Sequence, residues 1–524
     1  KGDNSLRDAG LIMSILTSLV FTFLITQNEA ARILAVFPVP SISHQVVFRP
    51  LTQELAKRGH EVTVITPDPA FPEGKTPPNF TEIDLHDLSY TKWEELYKLS
   101  SKAKADMVST MRAAFKLLVE IVEDQLKVDA VQALIQDNNT YDLLLLEACA
   151  RPALVLSHVF KAPVIQVASF GPLNYNVETI GASWHPLLYP NNLSQRLYNM
   201  TQWEKIRELW NFYRIESAIE AIKDEEDEMA KRLFGPDVPT INELQNNVHM
   251  MFLNIHPIWE GNRPVPPSVI YMGGLHQKPV TELPADLKEY LDSSENGVVY
   301  MSLGTNVKPS LLPPERIQMI VDVFSQLPYN VLWKWDKDEL PGQTENIRIS
   351  KWLPQSDLLR HPKIKVFITQ GGLQSTDEAI TAGVPLIGIP MLGDQWYNVE
   401  KYTYHKIGVR LNMETLTAEE FMNAIETVIG DDSYRQNVVR LRTLMRDQPQ
   451  EPLERAVWWT EHVLRHGGAK HLRAPAANIT WAQYLELDLV LTLLGIAAVV
   501  FLICLTFVYC LCRAIYLFIV KIKS

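Results

Sequence analysis

Residues Phe367–Gln395 read FITQGGLQSTDEAITAGVPLIGIPMLGDQ. An apolar run ends in two adjacent glycines, Gly371 and Gly372. A helical stretch follows to Ala382, then a second apolar run, PLIGIP, at Pro385–Pro390. Strand, glycine turn, helix and strand make the repeating unit of a parallel, doubly wound sheet. The paired glycines let the backbone approach a ligand closely. The helix that starts there turns its free N–H groups and dipole toward the turn, an anion site suited to a diphosphate. Glu378 lies two turns into the helix, where a carboxylate can accept hydrogen bonds from ribose hydroxyls. Asp394 and Gln395 follow the second strand and offer acceptors and donors to sugar hydroxyls. Upstream, Trp352-Leu353-Pro354-Gln355 presents an indole face on which a base can stack.

The same rhythm extends outward. Gly297–Ser302, Tyr329–Trp335 and Ile364–Thr369 read as strands. Nearer the N-terminus, the apolar run from Arg32 and the β-branched EVTVIT at Glu61–Thr66 flank a helical pattern over Phe48–Lys57, which Gly59 ends. Leu143–Leu146 and Pro163–Ala168 read as further buried strands, and residues 91–135 and 203–234 as helical. The proline-rich stretch Gly261–Pro279 separates the two series as a linker. Two α/β domains in tandem then face each other across a cleft, with ligands at the carboxyl ends of the strands.

Both ends of the chain are apolar. Leu11–Thr26 carries no charge and has the length of a signal-peptide core, with small residues following at Ala30 and Ala31. Leu489–Cys512 is uncharged over 24 residues. As a helix it would reach about 36 Å, enough to cross a bilayer. Arg513, Lys521 and Lys523 follow it, which places the short tail in the cytosol and the body on the other side. Sequons at Asn79, Asn138, Asn192, Asn199 and Asn478 all fall between these two segments. The 524 residues are 47% hydrophobic and 21% charged, which excludes a disordered or fibrous chain. A net charge of −12 argues against a nucleic-acid partner. Four cysteines, three of them in the C-terminal apolar run, exclude a disulfide scaffold.

The 367–395 segment resembles the signature of the UDP-glycosyltransferases. SHQ at Ser43–Gln45, RGHEVTVIT at Arg58–Thr66, MGGLH at Met272–His276, SLGT at Ser302–Thr305, WLPQ and the C-terminal anchor extend the likeness over nearly the whole chain. QGGLQSTDEAI is most similar to arthropod members. The resemblance implies a GT-B fold of two Rossmann-like domains with a C-terminal transmembrane helix. Its expected divisions are a leader and signal peptide at 1–30, an acceptor-binding domain at 31–265, and a UDP-sugar domain with a returning helix at 266–470. A juxtamembrane linker at 471–488, a span at 489–512 and a cytosolic tail at 513–524 complete it.

By the same resemblance Trp352 stacks on uracil, Gln355 approaches the nucleotide and Glu378 holds the ribose. Ser302, Thr305, Gln370, Gly371, Gly372 and Ser375 lie about the phosphates, Gln374 binds the donor, and Asp394 and Gln395 hold the sugar. His44 is the expected general base, since a hydroxyl is a poor nucleophile until deprotonated and imidazole suits that task near neutral pH. The family orients this histidine with an aspartate after a later strand. Here Glu147 stands in its place, with Asp142 a weaker candidate. Gln370 replaces a histidine found in many members.

The implied reaction moves a sugar, glucose rather than glucuronate, from a UDP-sugar to a hydroxyl of a small lipophilic acceptor, with inversion. The acceptor pocket is expected around Phe170–Trp184 and the helices of 91–135. No metal or cofactor is expected beyond the UDP-sugar co-substrate. The implied location is the endoplasmic-reticulum membrane, body in the lumen, although the terminal Lys521-Ile522-Lys523-Ser524 departs from the usual retention spacing. Oligomeric state stays open. A competing class is a membrane-anchored sugar-nucleotide-binding protein without turnover, motivated by Glu147 and Gln370. Asp336-Lys337-Asp338 reads as a solvated turn, and His462, His466 and His471 as surface histidines.

Overall fold

A computed structural model describes residues 30–100, 107–137, 140–183 and 185–523. The expected signal peptide, the Asn138 sequon and Trp184 therefore lie outside the described residues.

The first sheet has seven parallel strands: β1 (Arg32–Val36), β2 (Glu61–Thr66), β3 (Phe80–Asp84), β4 (Leu143–Glu147), β5 (Val164–Ala168), β6 (Val248–Leu253) and β7 (Val269–Tyr271). Their spatial order is β3-β2-β1-β4-β5-β6-β7. The second sheet holds β8 (Val298–Ser302), β9 (Asn330–Lys334), β10 (Ile347–Ser350), β11 (Ile364–Thr369), β12 (Leu386–Gly388) and β13 (Gly408–Arg410), in the order β10-β9-β8-β11-β12-β13. Both orders reverse direction once, between β1 and β4 and between β8 and β11. Those are the points where open parallel sheets leave a crevice for ligands. The central strands are buried on both faces, as continuous Val, Ile and Leu runs require.

The expected linker holds a strand. β7 pairs with β6 in the first sheet, Phe252 opposite Ile270, so the change of sheet falls after Tyr271 rather than at 265. The strand is short and flanked by prolines, which masks it in sequence.

Helix α1 (Ile42–Lys57) begins six residues before the expected Phe48 and encloses Pro50. Its first turn therefore carries His44. The elements needed below are α2 (Met107–Lys127), α3 (Asn174–Ile180), α4 (Gln202–Glu220), α5 (Leu373–Ala382) and α6 (Gln395–Tyr404). After the second sheet the chain returns. Helix α7 (Pro452–Arg465) packs Ala456, Val457 and Val463 into the same core as Ile33, Val47 and Leu51 of the first domain. Helix α8 (Leu487–Lys523) is 37 residues long and apolar enough to cross a membrane, and it continues well beyond Cys512.

Candidate active site

The two switch points face one another across a single cleft of about 770 Å³. It is bordered by His44 from the first domain and by Ser302, Thr305, Trp352, Gln355, Gln370, Gly372, Gln374, Ser375, Glu378, Asp394 and Gln395 from the second. Glu147 and Gly371 stand behind this lining.

On the first domain, the adjacency of β1 and β4 joins residues about a hundred positions apart. His44 Nδ1 lies 2.6 Å from Glu147 Oε1. The carboxylate can only accept, so Nδ1–H donates to it and Nε2 is left for a substrate. The Glu147 side chain is 1% exposed, and its other oxygen accepts the Val39 N–H at 3.2 Å. The Cys149 thiol donates to Oε1 at 3.4 Å. His44 Nδ1, a Glu147 oxygen and Cys149 Sγ lie within 4.8 Å of one another, a spacing a metal ion could use. Burial and the Glu147 charge hold the Cys149 thiol well above its usual range, so it stands here as a protonated donor. Asp142 is not part of this group: its carboxylate accepts the Arg32 N–H at the other end of the strand.

Gln45, next to His44, fixes the turn into α1. Its Nε2 donates to Phe37 O and Val39 O, and its Oε1 accepts from Thr66 Oγ1. The imidazole edge meets the Phe170 ring at 5.5 Å. Phe170, Leu173, Met111, Phe115 and Leu118 line this side of the cleft, within the segments expected to hold an acceptor.

On the second domain, Ser302 pairs with Thr369 across β8 and β11, which sets the SLGT turn beside the glycine turn. Gly371 has φ of +90°, and a Cβ there would overlap the Val399 side chain. Its role is to let the turn pack on α6, where Asn398 Nδ2 donates to Gly371 O at 2.9 Å. Gly372 then opens α5 toward the cleft. The Gln370 amide lies over Gly304, whose φ is +78° and whose missing Cβ makes the space. Gln370 Oε1 is buried with no hydrogen-bond partner, a polar atom at the cleft that a ligand can satisfy.

Gln355 organises the outer end. Its Nε2 donates to Ser375 Oγ at 2.9 Å and to Glu378 Oε2 at 2.8 Å, while Oε1 accepts from Tyr300. Burial raises the Glu378 carboxyl, and the Gln355 hydrogen bond partly offsets this. Trp352 is 65% exposed, so its ring is open for stacking. Lys334 Nζ sits 4.9 Å from that ring and donates to Gly304 O. Nothing in the local pattern of VLWKW marks this lysine, because only the sheet order brings it to the cleft.

Asp394 is driven by burial up to about 6; it accepts from Asn398 Nδ2 at 2.9 Å, and nearby His44 pulls the other way. Gln395 Oε1 accepts the N–H groups of Met391 and Leu392, which closes the sugar-side loop and leaves Nε2 as its remaining donor. Gln374, on the cleft lining, donates its Nε2 to Ser169 O of the first domain at 2.9 Å. Asn306 and Ser41 form a second bridge between domains. Asp336 accepts from Ser310 N and Oγ, the role of a loop cap. His462, His466 and His471 cluster beside Trp458 and Trp459 on α7 and the turn after it, outside the cleft lining.

Comparison with known proteins bears on this arrangement. Residues 32–524 match the family model described as UDP-glucoronosyl and UDP-glucosyl transferase. An ecdysteroid UDP-glucosyltransferase of Spodoptera littoralis nuclear polyhedrosis virus is 38% identical, covering 92% of this chain and 97% of its own. UDP-glycosyltransferase UGT5 of Dactylopius coccus is 33% identical, covering 93% of each. Among solved structures, the glycotransferase of kitacinnamycin superposes with a TM-score of 0.56 at 20% identity, over 83% of this chain and 98% of its own. CalG4, the calicheamicin glycosyltransferase, gives 0.55 at 16%, over 83% and 99%. These neighbours share the fold, GT-B. The match along nearly the whole chain, over a cleft built at two facing switch points, makes this protein a UDP-glycosyltransferase, a member of the UDP-glucoronosyl and UDP-glucosyl transferase family.

Proposed function

We propose that the enzyme transfers glucose from UDP-glucose to a hydroxyl group of a small lipophilic acceptor, with inversion at the anomeric carbon. The observation that carries this reading is the 2.6 Å contact between His44 and buried Glu147 at the mouth of a cleft that the second domain completes. His44 Nε2 takes the acceptor proton while Glu147 steadies the resulting imidazolium. The acceptor oxygen bonds to the anomeric carbon, the bond from that carbon to the diphosphate oxygen breaks, and its electron pair leaves with UDP. The N-terminus of α5, the backbone of Gly372 and the Gln370 amide meet the charge that develops on the diphosphate. Trp352 stacks on uracil, Glu378 holds the ribose, and Asp394 and Gln395 hold the sugar.

Glucose as donor is supported by the names of several similar proteins, and a lipophilic acceptor by the apolar wall around Phe170 and Phe115. We place α8 across the endoplasmic-reticulum membrane, with the body in the lumen and Lys521 and Lys523 on the cytosolic side. The domain limits follow the two sheets, with the acceptor side first and the donor side second.

The test is a donor panel on the full-length enzyme, with a simple phenol and an ecdysteroid as acceptors. UDP-glucose should give the highest kcat/KM and an inverted product. His44→Ala should lower kcat by about 10²–10⁴. Preference for UDP-glucuronate would overturn the donor, and an unchanged rate in His44→Ala would overturn the base. Binding of UDP without product from any donor would favour the non-catalytic alternative, which the departures at Glu147 and Gln370 motivate.

A further inference from the structure

Helix α4 is apolar on two sides. Its inner residues Phe212, Ile215 and Ile219 are buried. Ile215 and Ile219 pack with Leu173 and Leu193, which border the acceptor side of the cleft. Its outer face carries Trp203, Ile206, Trp210 and Tyr213, exposed by 80%, 54%, 65% and 63%. The spacing of three, four and three residues gathers them into an arc of about 80°. Single exposed apolar residues are ordinary, but four large ones in a stripe mark a surface that something covers.

We propose that this stripe docks α4 onto the surface of the same bilayer that α8 crosses, with the two tryptophans and the tyrosine at headgroup level. Three observations favour lipid over a protein partner. The stripe is rich in Trp and Tyr, the residues that settle at a membrane interface. Exposed Arg207 lies along one edge of it, in place to meet lipid phosphates. The stripe is also close to the chain's own entry into the membrane. The Asn478 N–H, nine residues before α8, donates to Glu178 O of α3, and Asn174 Nδ2 of α3 donates to Glu216 Oε1 of α4. One short helix therefore separates α4 from the segment leading into α8. Docked in this way, α4 sets the acceptor wall against the bilayer, where a lipophilic acceptor is concentrated. The docking itself stands independently of which acceptor or sugar the enzyme uses.

The test uses the full-length chain in nanodiscs containing phosphatidylserine, with Cys504, Cys510 and Cys512 each changed to Ser. A spin label is placed at Ile206→Cys or, as a solvent control, at Gln436→Cys, with the chain lacking either cysteine as the blank. At position 206, relaxation by oxygen should exceed relaxation by a water-soluble nickel chelate, with the reverse at 436. Joint Trp203→Ser and Trp210→Ser substitution should raise nickel access at 206 several-fold without altering thermal unfolding. Equal nickel access at 206 and 436 would overturn the proposal. Shielding of 206 from both reagents would also overturn it, because a protein cover, such as residues 11–26 or a second copy, would then occupy the stripe. Insensitivity of 206 to the double substitution would count against it equally.

Discussion

Glu147 closes on His44 although it is one methylene longer than the aspartate that the family resemblance leads one to expect. The extra length is taken up by seating: one oxygen meets Nδ1 and the other the Val39 N–H, with the carboxylate at the very end of β4. Glu147→Asp should pull the carboxylate back from the ring and lower kcat by about tenfold, whereas Glu147→Gln removes the charge and should cost about 10²-fold or more. Steady-state kinetics of the two variants beside wild type would measure both losses. Asp377, the neighbour of Glu378, gives a second residue-scale prediction. It is buried, its Oδ2 has no partner, and burial followed by the Glu378 charge pushes its carboxyl from 3.8 to about 8. The folded chain thus keeps a proton that the unfolded chain releases above about pH 4. The stability this proton confers is complete below about pH 4 and is lost as pH rises through the folded value. Asp377→Asn, which cannot ionise, should therefore show a Tm advantage over wild type that widens from pH 4 to pH 8. A constant difference across that range would contradict the assignment.

At the scale of elements, the glycine turn between β11 and α5 shows what a sequence reveals and what it hides. The strand at Ile364–Thr369 and the end of the helix at Ala382 were legible, because an apolar run and a glycine pair have only one local solution. The division of labour between the two glycines was not. Gly371 faces α6 and Gly372 faces the cleft, a distinction set by Val399, 28 positions away. Gly371→Ala should therefore destabilise the fold by about 1–3 kcal/mol. Pairing it with Val399→Ala should recover part of that loss, measured by denaturant unfolding, because the clash is with that side chain. The same limit explains the other elements that sequence left unassigned. β7 hides among prolines, and the start of α1 hides behind VPSIS, whose residues are poor helix formers until Gln45 ties the turn to Phe37 and Val39. His44, Glu378 and Asp394 were legible because their motifs are local, whereas Lys334 and Cys149 join the site only through strand order.

The whole molecule depends on contacts that cross between its two sheets, and Asn398 ties one of them to two hydrogen bonds inside the second domain. Its Oδ1 accepts from Trp259 Nε1 of the first domain at 2.9 Å. Its Nδ2 donates to Gly371 O and to Asp394 Oδ2, each at 2.9 Å. Trp259 and Asn398 are both buried, so neither the indole N–H nor the amide can turn to water instead. One amide thus joins the domain interface, the glycine turn at the expected diphosphate site and the carboxylate at the expected sugar site. Asn398→Ala leaves an indole N–H, a carbonyl and a carboxylate without this partner, and should cost about 2–4 kcal/mol of stability. It should also raise the KM for the UDP-sugar by about tenfold, because both ends of the donor site lose the group that sets their spacing. Trp259→Phe removes only the cross-domain hydrogen bond and keeps the ring buried. It should lower stability by about 1 kcal/mol and leave the KM within about twofold of wild type. If the two variants raised KM equally, the domain contact rather than the amide would govern donor binding. The contrast between them separates the geometry of the donor loop from the closure of the cleft.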